Sequence, residues 1–482
     1  MEDTKKYIQA FLSQNKIEVP KSKLLLFDDF INNETNINSV KIIQENQKAI
    51  MKNWNLKTRI DDIISQSVLL PNGTVNKIYE SKIDFIKLGW NDVIYSEIKG
   101  LEETGLEFNN ETEILFGNPI FSGDLKIKLL FRIDGEAENS ILNEKTFTII
   151  INPDPKSLWK NTPSNKEDIY WKEDNVCEFK KLGDKHIVVA SKRGRSHANV
   201  GSFRDDDYAF KHFDSSGWSV IVVSDGAGSA KAARKGSELS CKSVVDYFEK
   251  NLTLELLSEF DLYAETYYKN LLNPPLDSSL EIDKTENNSS KISKFIYNHL
   301  GGAANYAYKT LEEFSKSNDL SIKDLHSTLI FTLVKKYSFG YVILSFGVGD
   351  CPIGLLNKDL TELKLMNWLD VGEFGGGTRF ITMPEIFTSD KFPTRFGFKL
   401  IEDFSYLMLM TDGIYDPKFV VEANLEKLEN WKEFLEDLQG KNTDGFKVDF
   451  DNSNLEIANQ LSNWMDFWSP GNHDDRTLAI LF

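Results

Sequence analysis

"IVVSDGAGSA", residues 221–230, runs from β-branched residues straight into an Asp-Gly pair and then into small residues that open a helix. A buried strand that ends on a carboxylate is ordinary turn punctuation when it occurs once. Here "LMLMTDGIYD" (407–416) repeats the pattern and "SFGVGDCPIG" (345–354) nearly does. Two further acidic turns belong with them: Asp206 in "GSFRDDDYAF" (201–210) and Asp474 in "GNHDDRTLAILF" (471–482).

Taken singly, each has a plain reading. The Asp-Gly pairs are turns, the "DDD" run a solvated loop, "GDC" a hairpin and "DDRTLAILF" a terminal strand with an acidic start. Taken together, carboxylates gathered at the end of a sheet cannot all stay ionised, because like charges raise each other's pKa. Hard divalent cations such as Mg²⁺ or Mn²⁺ relieve that repulsion and prefer oxygen ligands. The glycines after Asp225 and Asp412 let the backbone turn sharply and bring a carbonyl close to an ion.

The surrounding sequence is consistent with this chemistry. The chain has 482 residues, 41% hydrophobic and 27% charged, a globular balance with length for two or three domains. Its formal net charge of -18 excludes the basic footprint of a nucleic-acid protein. The three cysteines (Cys177, Cys241, Cys351) lie far apart without metal-ligand spacing, which fits a reducing compartment. Neither a signal-type N-terminus nor a bilayer-length apolar run is present, so the expectation is a soluble cytoplasmic protein without membrane contact.

Organisation is readable in outline. Residues 1–65 are helical by apolar spacing, with Tyr7, Ile8, Phe11 and Leu12 on one face. Residues 66–153 alternate short apolar runs with turn signals, the pattern of a small all-β sandwich. Residues 154–184 are expected as a linker, from the prolines and polar tail of "NPDPKSLWKNTPSNKED". Residues 185–482 form a mixed α/β region with strands at "HIVVA", "SVIVVSDG", "STLIFTLVKK", "GYVILSFGVGD", "SYLMLMTDG" and "DRTLAILF". "KAARKGSELSCKSVVDYFEK" is a helix whose Ala233, Gly236, Ser237, Ser240 and Val244 make a small-residue face. Segments 274–292 and 437–454 are polar and look inserted, the first of them flexible. Trp464 and Trp468 read as core rather than as stacking platforms.

In order, the motifs R-x-D-D, V-x-D-G-x-G-S, S-T-L, G-D-x-x-x-G, T-D-G-I-x-D and D-D-x-T resemble the type-2C metal-dependent Ser/Thr protein phosphatases, the bacterial subgroup with "DGAGSA" most of all. The resemblance spans residues 185–482. It implies an α+β fold: a four-layer αββα sandwich, here preceded by a helical segment and the β-sandwich. It also implies two Mn²⁺ or Mg²⁺ ions that activate a water for attack on phosphoserine or phosphothreonine of a protein substrate. Asp225 matches the bridging aspartate and Gly226 the carbonyl donor. Asp412 and Asp474 match the other carboxylate ligands, and Asp206 the acidic position that acts through metal-bound water. Asp350, with Asp412, matches the pair for a third, weaker ion. A phosphorylated protein from a Ser/Thr kinase system is the implied partner. Within the first third, "GLEFNNETEILFGNPIFSGDLKIKLLFRID" resembles the G-L…G-x-P…G grammar of bacterial immunoglobulin-like domains.

The match frays in places. Ala227 stands where some relatives have a histidine that protonates the leaving group. Gly201 stands where an arginine commonly grips the phosphate, which leaves Arg193, Arg195 and His197 as candidates for that charge. Asp475 replaces a common asparagine, either orienting Asp474 or adding negative charge. Glycine-rich "LDVGEFGGGTRFIT" (369–382) lacks the strand–turn–helix context of a nucleotide cradle, and the resemblance places it in a substrate-facing flap. The alternative function is a catalytically weak phosphoprotein-binding module or signalling scaffold.

Overall fold

The computed structural model describes residues 2–273, 282–370, 377–469, 471 and 473–482. The chain divides into two compact units, Met1–Leu158 and Trp159–Phe482.

The first unit opens with three helices, α1 (Glu2–Gln14), α2 (Leu24–Asn32) and α3 (Glu34–Ser65). Asn33 caps α3 by accepting a hydrogen bond from the Thr35 amide at 2.9 Å. Strands follow as β1 (Gly73–Thr74), β2 (Tyr79–Lys82), β3 (Val93–Lys99), β4 (Leu106–Asn109), β5 (Ile114–Gly117), β6 (Gly123–Ile133) and β7 (Asn143–Asn152), with a short helix α4 (Phe85–Leu88) after β2 and another, α5 (Pro155–Leu158), after β7. They form a four-stranded sheet in the order β1-β7-β6-β3 and a three-stranded sheet in the order β2-β5-β4. Strict in-out alternation along β6 and β7 puts Leu125, Ile127, Leu129, Phe131, Phe147 and Ile149 into one core with Leu106 and Leu115 of the smaller sheet. Leu56, Ile60 and Ile63 of α3 pack on that same core. The buried Lys145 ammonium donates to the carbonyls of Ile64 and Gln66 and so fixes the end of α3. The glycines of the "GLEF…FGNP" grammar have a steric reason. Gly105 and Gly117 both have positive φ, and a Cβ on either would stand 2.0–2.2 Å from a backbone oxygen across the turn.

The second unit contains two antiparallel sheets. Its strands are β8 (Asn175–Leu182), β9 (Lys185–Lys192), β10 (Asp207–Phe213), β11 (Trp218–Ser224), β12 (Leu329–Tyr337), β13 (Gly340–Val348), β14 (Ile353–Asn357), β15 (Leu363–Leu365), β16 (Phe396–Ile401), β17 (Phe404–Met410) and β18 (Arg476–Leu481). One sheet has the order β10-β11-β12-β13-β16, the other β15-β14-β17-β18-β9-β8. The helices are α6 (Arg195–Val200), α7 (Ala233–Asn251), α8 (Leu254–Leu272), α9 (Ile282–Ser317), α10 (Asp412–Phe419), α11 (Leu428–Leu438) and α12 (Ile457–Trp464).

The strands are apolar on both faces because both faces are covered. Along β11, Val220 and Val222 meet α7, α8 and α9, while Ile221 and Val223 meet the other sheet. Along β18, Leu478 and Ile480 meet α10, α11 and α12, while Ala479 and Leu481 face inward between the sheets. The layers therefore run helix, sheet, sheet, helix, as expected. The small-residue face of α7 is buried, and Trp464 is core beside Phe434 and Phe467.

Two stretches differ from the sequence reading. Past Trp159 the expected linker is not a free tether. Ser164 accepts from the Trp171 indole and donates to Asp174, Asp168 holds Arg234, and β8 pairs along the whole of β9. Proline and polar residues signalled a turn-rich strap, but partners as far as 66 residues away hold it in place. The segment 274–292, expected to be flexible, is helical from Ile282 onward, since α9 extends its regular backbone through the polar residues. Residues 274–281 lie outside the described residues.

Candidate metal centre

Each candidate carboxylate sits beside one end of a strand. Asp225 follows β11, and its position is set by the S-T-L motif: its amide donates to Thr328 Oγ1 (2.9 Å) and its carbonyl accepts from the Thr328 amide (2.8 Å). Gly226 is required by close approach, because a Cβ there would stand 2.5 Å from the Asp205 carbonyl oxygen. Asp412 begins α10 directly after β17, and Asp474 precedes β18. These two strands pair with each other, so both acids come to the same end of one sheet. Asp206 precedes β10, whose first residue lies opposite the last residue of β11.

The threonines of the T-D-G and D-D-x-T motifs explain themselves here. Asp206 Oδ2 accepts from Thr411 Oγ1 at 2.9 Å and Thr477 Oγ1 at 2.8 Å. Its Oδ1 is buried with no hydrogen-bond partner among the described residues, as are Asp350 Oδ1 and Asp412 Oδ1. Asp350 Oδ2 accepts from Thr378 Oγ1 (2.8 Å), which ties the end of the glycine-rich segment to the cluster. Ile381 is tied down too, donating its amide to Ser327. Residues 371–376 of that segment lie outside the described residues.

Electrostatics follow from this packing. Burial first, then the charges of Asp412, Asp206, Asp474 and Asp350, push the Asp225 carboxyl well above the ordinary carboxylate range. Asp412 is pushed the same way by burial, Asp474, Asp350 and Asp206. Burial and Asp475 raise Asp206 to about 7, against the opposing threonine hydrogen bonds. Carboxylates whose buried oxygens lack a hydrogen-bond partner among the described residues have the donor set and the charge deficit that a divalent ion satisfies. Ligating atoms of Asp225, Asp350 and Cys351 lie within 4.8 Å of one another, as do those of His197, Asp205 and Asp475. Cys351 is a buried thiol raised by burial and by the neighbouring acids, with its sulfur 3.3 Å from Thr328 Oγ1.

Asp475 is a hub. Its carboxylate accepts from the Gly194 amide (2.6 Å), the Asp205 amide and His197 Nδ1 (3.1 Å), which joins the start of α6 to the Asp205–Asp206 turn. Burial alone would lower the His197 pKa, but the Asp475 hydrogen bond and charge outweigh it and hold the imidazole charged, to about 10. The ring reaches the glycine loop after Asp225, with Nε2 3.5 Å from where a Cβ on Gly228 would stand. The other basic candidates are engaged elsewhere. Arg193 is buried and donates to Ser202, Asn161 and Thr162, with Asp174 at 3.3 Å. Arg195 donates to the Asp466 carbonyl at 2.7 Å and stands 5.5 Å over the Trp468 ring.

A family model for protein phosphatase 2C matches residues 193–466, more than half of the chain. The chain belongs to the protein phosphatase 2C family. Metal-dependent phosphatase chemistry is therefore its family-level activity, and the His197–Asp205–Asp475 and Asp225–Asp350–Cys351 groups could hold a metal ion. Solved structures to which the chain is similar include the Ser/Thr phosphatase Stp1 from Staphylococcus aureus, 14% identical, covering 63% of this chain and 97% of that one with a TM-score of 0.33. The catalytic domain of PstP in complex with two manganese ions is 13% identical, covering 64% and 98%, with a TM-score of 0.35. RsbX in complex with magnesium is 12% identical, covering 64% and 98%, with a TM-score of 0.32. No curated protein matches the chain.

Sequence reasoning missed the residues that hold this phosphatase 2C site from behind. Lys172 is half-buried and donates to the Asp206 carbonyl (2.6 Å), Asp207 (3.0 Å), the Arg234 carbonyl and Ser237. Arg204, the arginine of R-x-D-D, donates to Ser191 and to the Asp206 carbonyl. Asp205 accepts from the Arg234 amide at the start of α7. The motif letters Arg204, Thr411 and Thr477 were visible, whereas nothing local marks Lys172. Among the described residues no helix is long and apolar enough to cross a membrane.

Proposed function

We propose that the chain hydrolyses phosphoserine and phosphothreonine on proteins with a pair of divalent cations, Mn²⁺ or Mg²⁺, in the carboxylate cluster. Asp225, the Gly226 carbonyl, Asp412 and Asp474 would hold them, with Asp206 contributing through water and Asp350 with Asp412 offering a third, weaker position. When bound, such cations lower the pKa of a water and neutralise charge on phosphoryl oxygens. The chain's own residues position and pre-orient the ligands. Thr411 and Thr477 hold one oxygen of Asp206 and leave the other for the site, and Thr328 fixes Asp225 from both its amide and its carbonyl. His197, kept charged by Asp475, is the best-supported of the three basic candidates for meeting substrate phosphate, because Arg193 and Arg195 are committed to other partners. Phosphorylated proteins of a Ser/Thr kinase system are the proposed substrates.

The observation that carries this reading is the set of buried carboxylate oxygens, at Asp206, Asp350 and Asp412, that have no hydrogen-bond partner among the described residues. Hydrolysis of an aryl phosphate and a phosphothreonine peptide with Mn²⁺, with Mg²⁺ and with chelator tests it, for wild type and Asp225→Asn. Turnover that needs metal and disappears in the variant is expected. Tight Mn²⁺ binding without turnover would favour the phosphoprotein-binding reading, which Ala227 and Gly201 motivate.

A further inference from the structure

The apolar face of α3 changes sides half-way along the helix. At 100° per residue, Leu56, Ile60 and Ile63 lie on one side, and these pack on the β-sandwich core. Val40, Ile43, Gln47, Ile50, Met51 and Trp54 fall within about 100° of one another on the opposite side. Only the first of these is covered: Val40 is buried with Ile8 of α1 and Phe27 and Ile31 of α2. Beyond it Ile43, Ile50, Met51 and Trp54 are 37%, 69%, 57% and 67% exposed. A stripe about 17 Å long is thus left bare between the turns covered by α1 and α2 and the turns that pack on the sandwich.

Singly exposed apolar residues are ordinary, but a contiguous row at helical spacing ending in a tryptophan is not. We infer that this stripe of α3 is a self-association surface, paired antiparallel with the same stripe of a second copy of the chain. The row complements itself. A two-fold axis between residues 48 and 49 sets Ile43 opposite Trp54 of the second copy and Gln47 opposite its Ile50, the isologous arrangement that closes a dimer. Four of the residues alongside are uncharged amides (Gln44, Asn46, Asn53 and Asn55), and the charges that flank the stripe are Lys48 and Lys57. Near the axis the two Gln47 side chains can bond each other and select this register. The four bare side chains expose on the order of 500 Å² per copy, which with the flanking amides approaches the roughly 800 Å² that each partner contributes to a stable interface.

Sedimentation equilibrium of the full chain over a wide concentration range tests this. The expected result is a species of twice the chain mass, with Ile50→Asp and Trp54→Glu each raising the dimer dissociation constant at least about tenfold. Ile42→Asp is the control. It lies on the same helix and is 58% exposed, but sits outside the stripe, and it should leave the dimer intact. Should a charged variant fail to keep its helical circular dichroism, Trp54→Ala carries the same test, since truncating an exposed ring leaves no cavity. A wild-type chain that stays monomeric throughout would overturn the inference, as would a dimer indifferent to the stripe variants or equally weakened by Ile42→Asp. Capture of the stripe by another surface of its own chain would give the monomeric result.

Discussion

Asp206 and Asp207 are neighbours in sequence, the first buried and the second half-buried, and the structure treats them oppositely. Asp207 receives the Lys172 ammonium at 3.0 Å and lies 4.0 Å from Arg204. Although burial works against it, these cations hold its carboxyl below the ordinary range. Asp206 receives two threonine hydroxyls on one oxygen and nothing on the other, and rises to about 7. The same contrast recurs elsewhere in the unit. Asp370 is gripped by Arg395 and Asp437 by Lys418 and the Trp464 indole, whereas burial and neighbouring acids push Asp225 and Asp412 well above the ordinary range. Where a buried acid is structural, the fold supplies its counter-charge. At the ends of β11 and β17 and in the turn before β10 it supplies orientation, which leaves the counter-charge to come from outside.

That contrast can be broken from either side. The largest effect is expected from Asp225→Asn, which should lower metal-dependent turnover by about 10³-fold or more, as loss of a group that stabilises transition-state charge does. A variant with near-normal rates would mean that the unpaired acids are not the site. Next, Lys172→Met strands Asp207 without its amine. Urea unfolding should show a loss of about 3–5 kcal/mol, as for one partner removed from a buried pair, with part of it recovered in Lys172→Met/Asp207→Asn. A loss below about 1 kcal/mol would place the pair among exposed ones. Third, Thr477→Val removes one of the two hydroxyls on Asp206 and should weaken Mn²⁺ binding about 10-fold, the lower end for an outer-shell partner, which calorimetry would read. Unchanged affinity would leave the motif threonine a packing residue.

The smallest effect is a pH slope. Asp205 and Asp206 are raised to about 7 in the folded, metal-free chain, from an ordinary value near 4. A carboxyl raised in the fold contributes stability that is full below its unfolded pKa and lost as pH rises through the folded one. The metal-free Tm should therefore fall by a few degrees between about pH 5 and pH 8, and Mn²⁺ should flatten that slope. Asp207 and Asp475, lowered in the fold, act oppositely and lose their contribution on acidification below the ordinary carboxylate range. A metal-free Tm that rises across this window would show that the acids are already compensated.

Much of the catalytic fold was legible because its signals are local. Strands covered on both faces read as unbroken apolar runs, and several have an Asp at one end, so the order of motifs carried the layered sandwich with it. The support of the site was not legible because it is built from distant pairs. Lys172 reaches Asp206 and Ser237, His197 reaches Asp475 across 278 residues, and Thr411 and Thr477 meet on Asp206 only after β17 and β18 have paired. Spacing could find the helix from Glu34 to Ser65 but not which of its two apolar faces the sandwich would cover. Polar composition misled at 282–292, where residues compatible with either state continue a helix whose later turns bury Phe295, Ile296 and Leu300.

The most direct measurement is calorimetric titration of Mn²⁺ into the metal-free chain and into Asp225→Asn and Asp412→Asn. Two bound ions in wild type, with loss of at least one in each variant and proton release on binding, is the result expected of acids left without a counter-charge. No binding in wild type, or full binding in both variants, would contradict the assignment of these carboxylates to a metal centre.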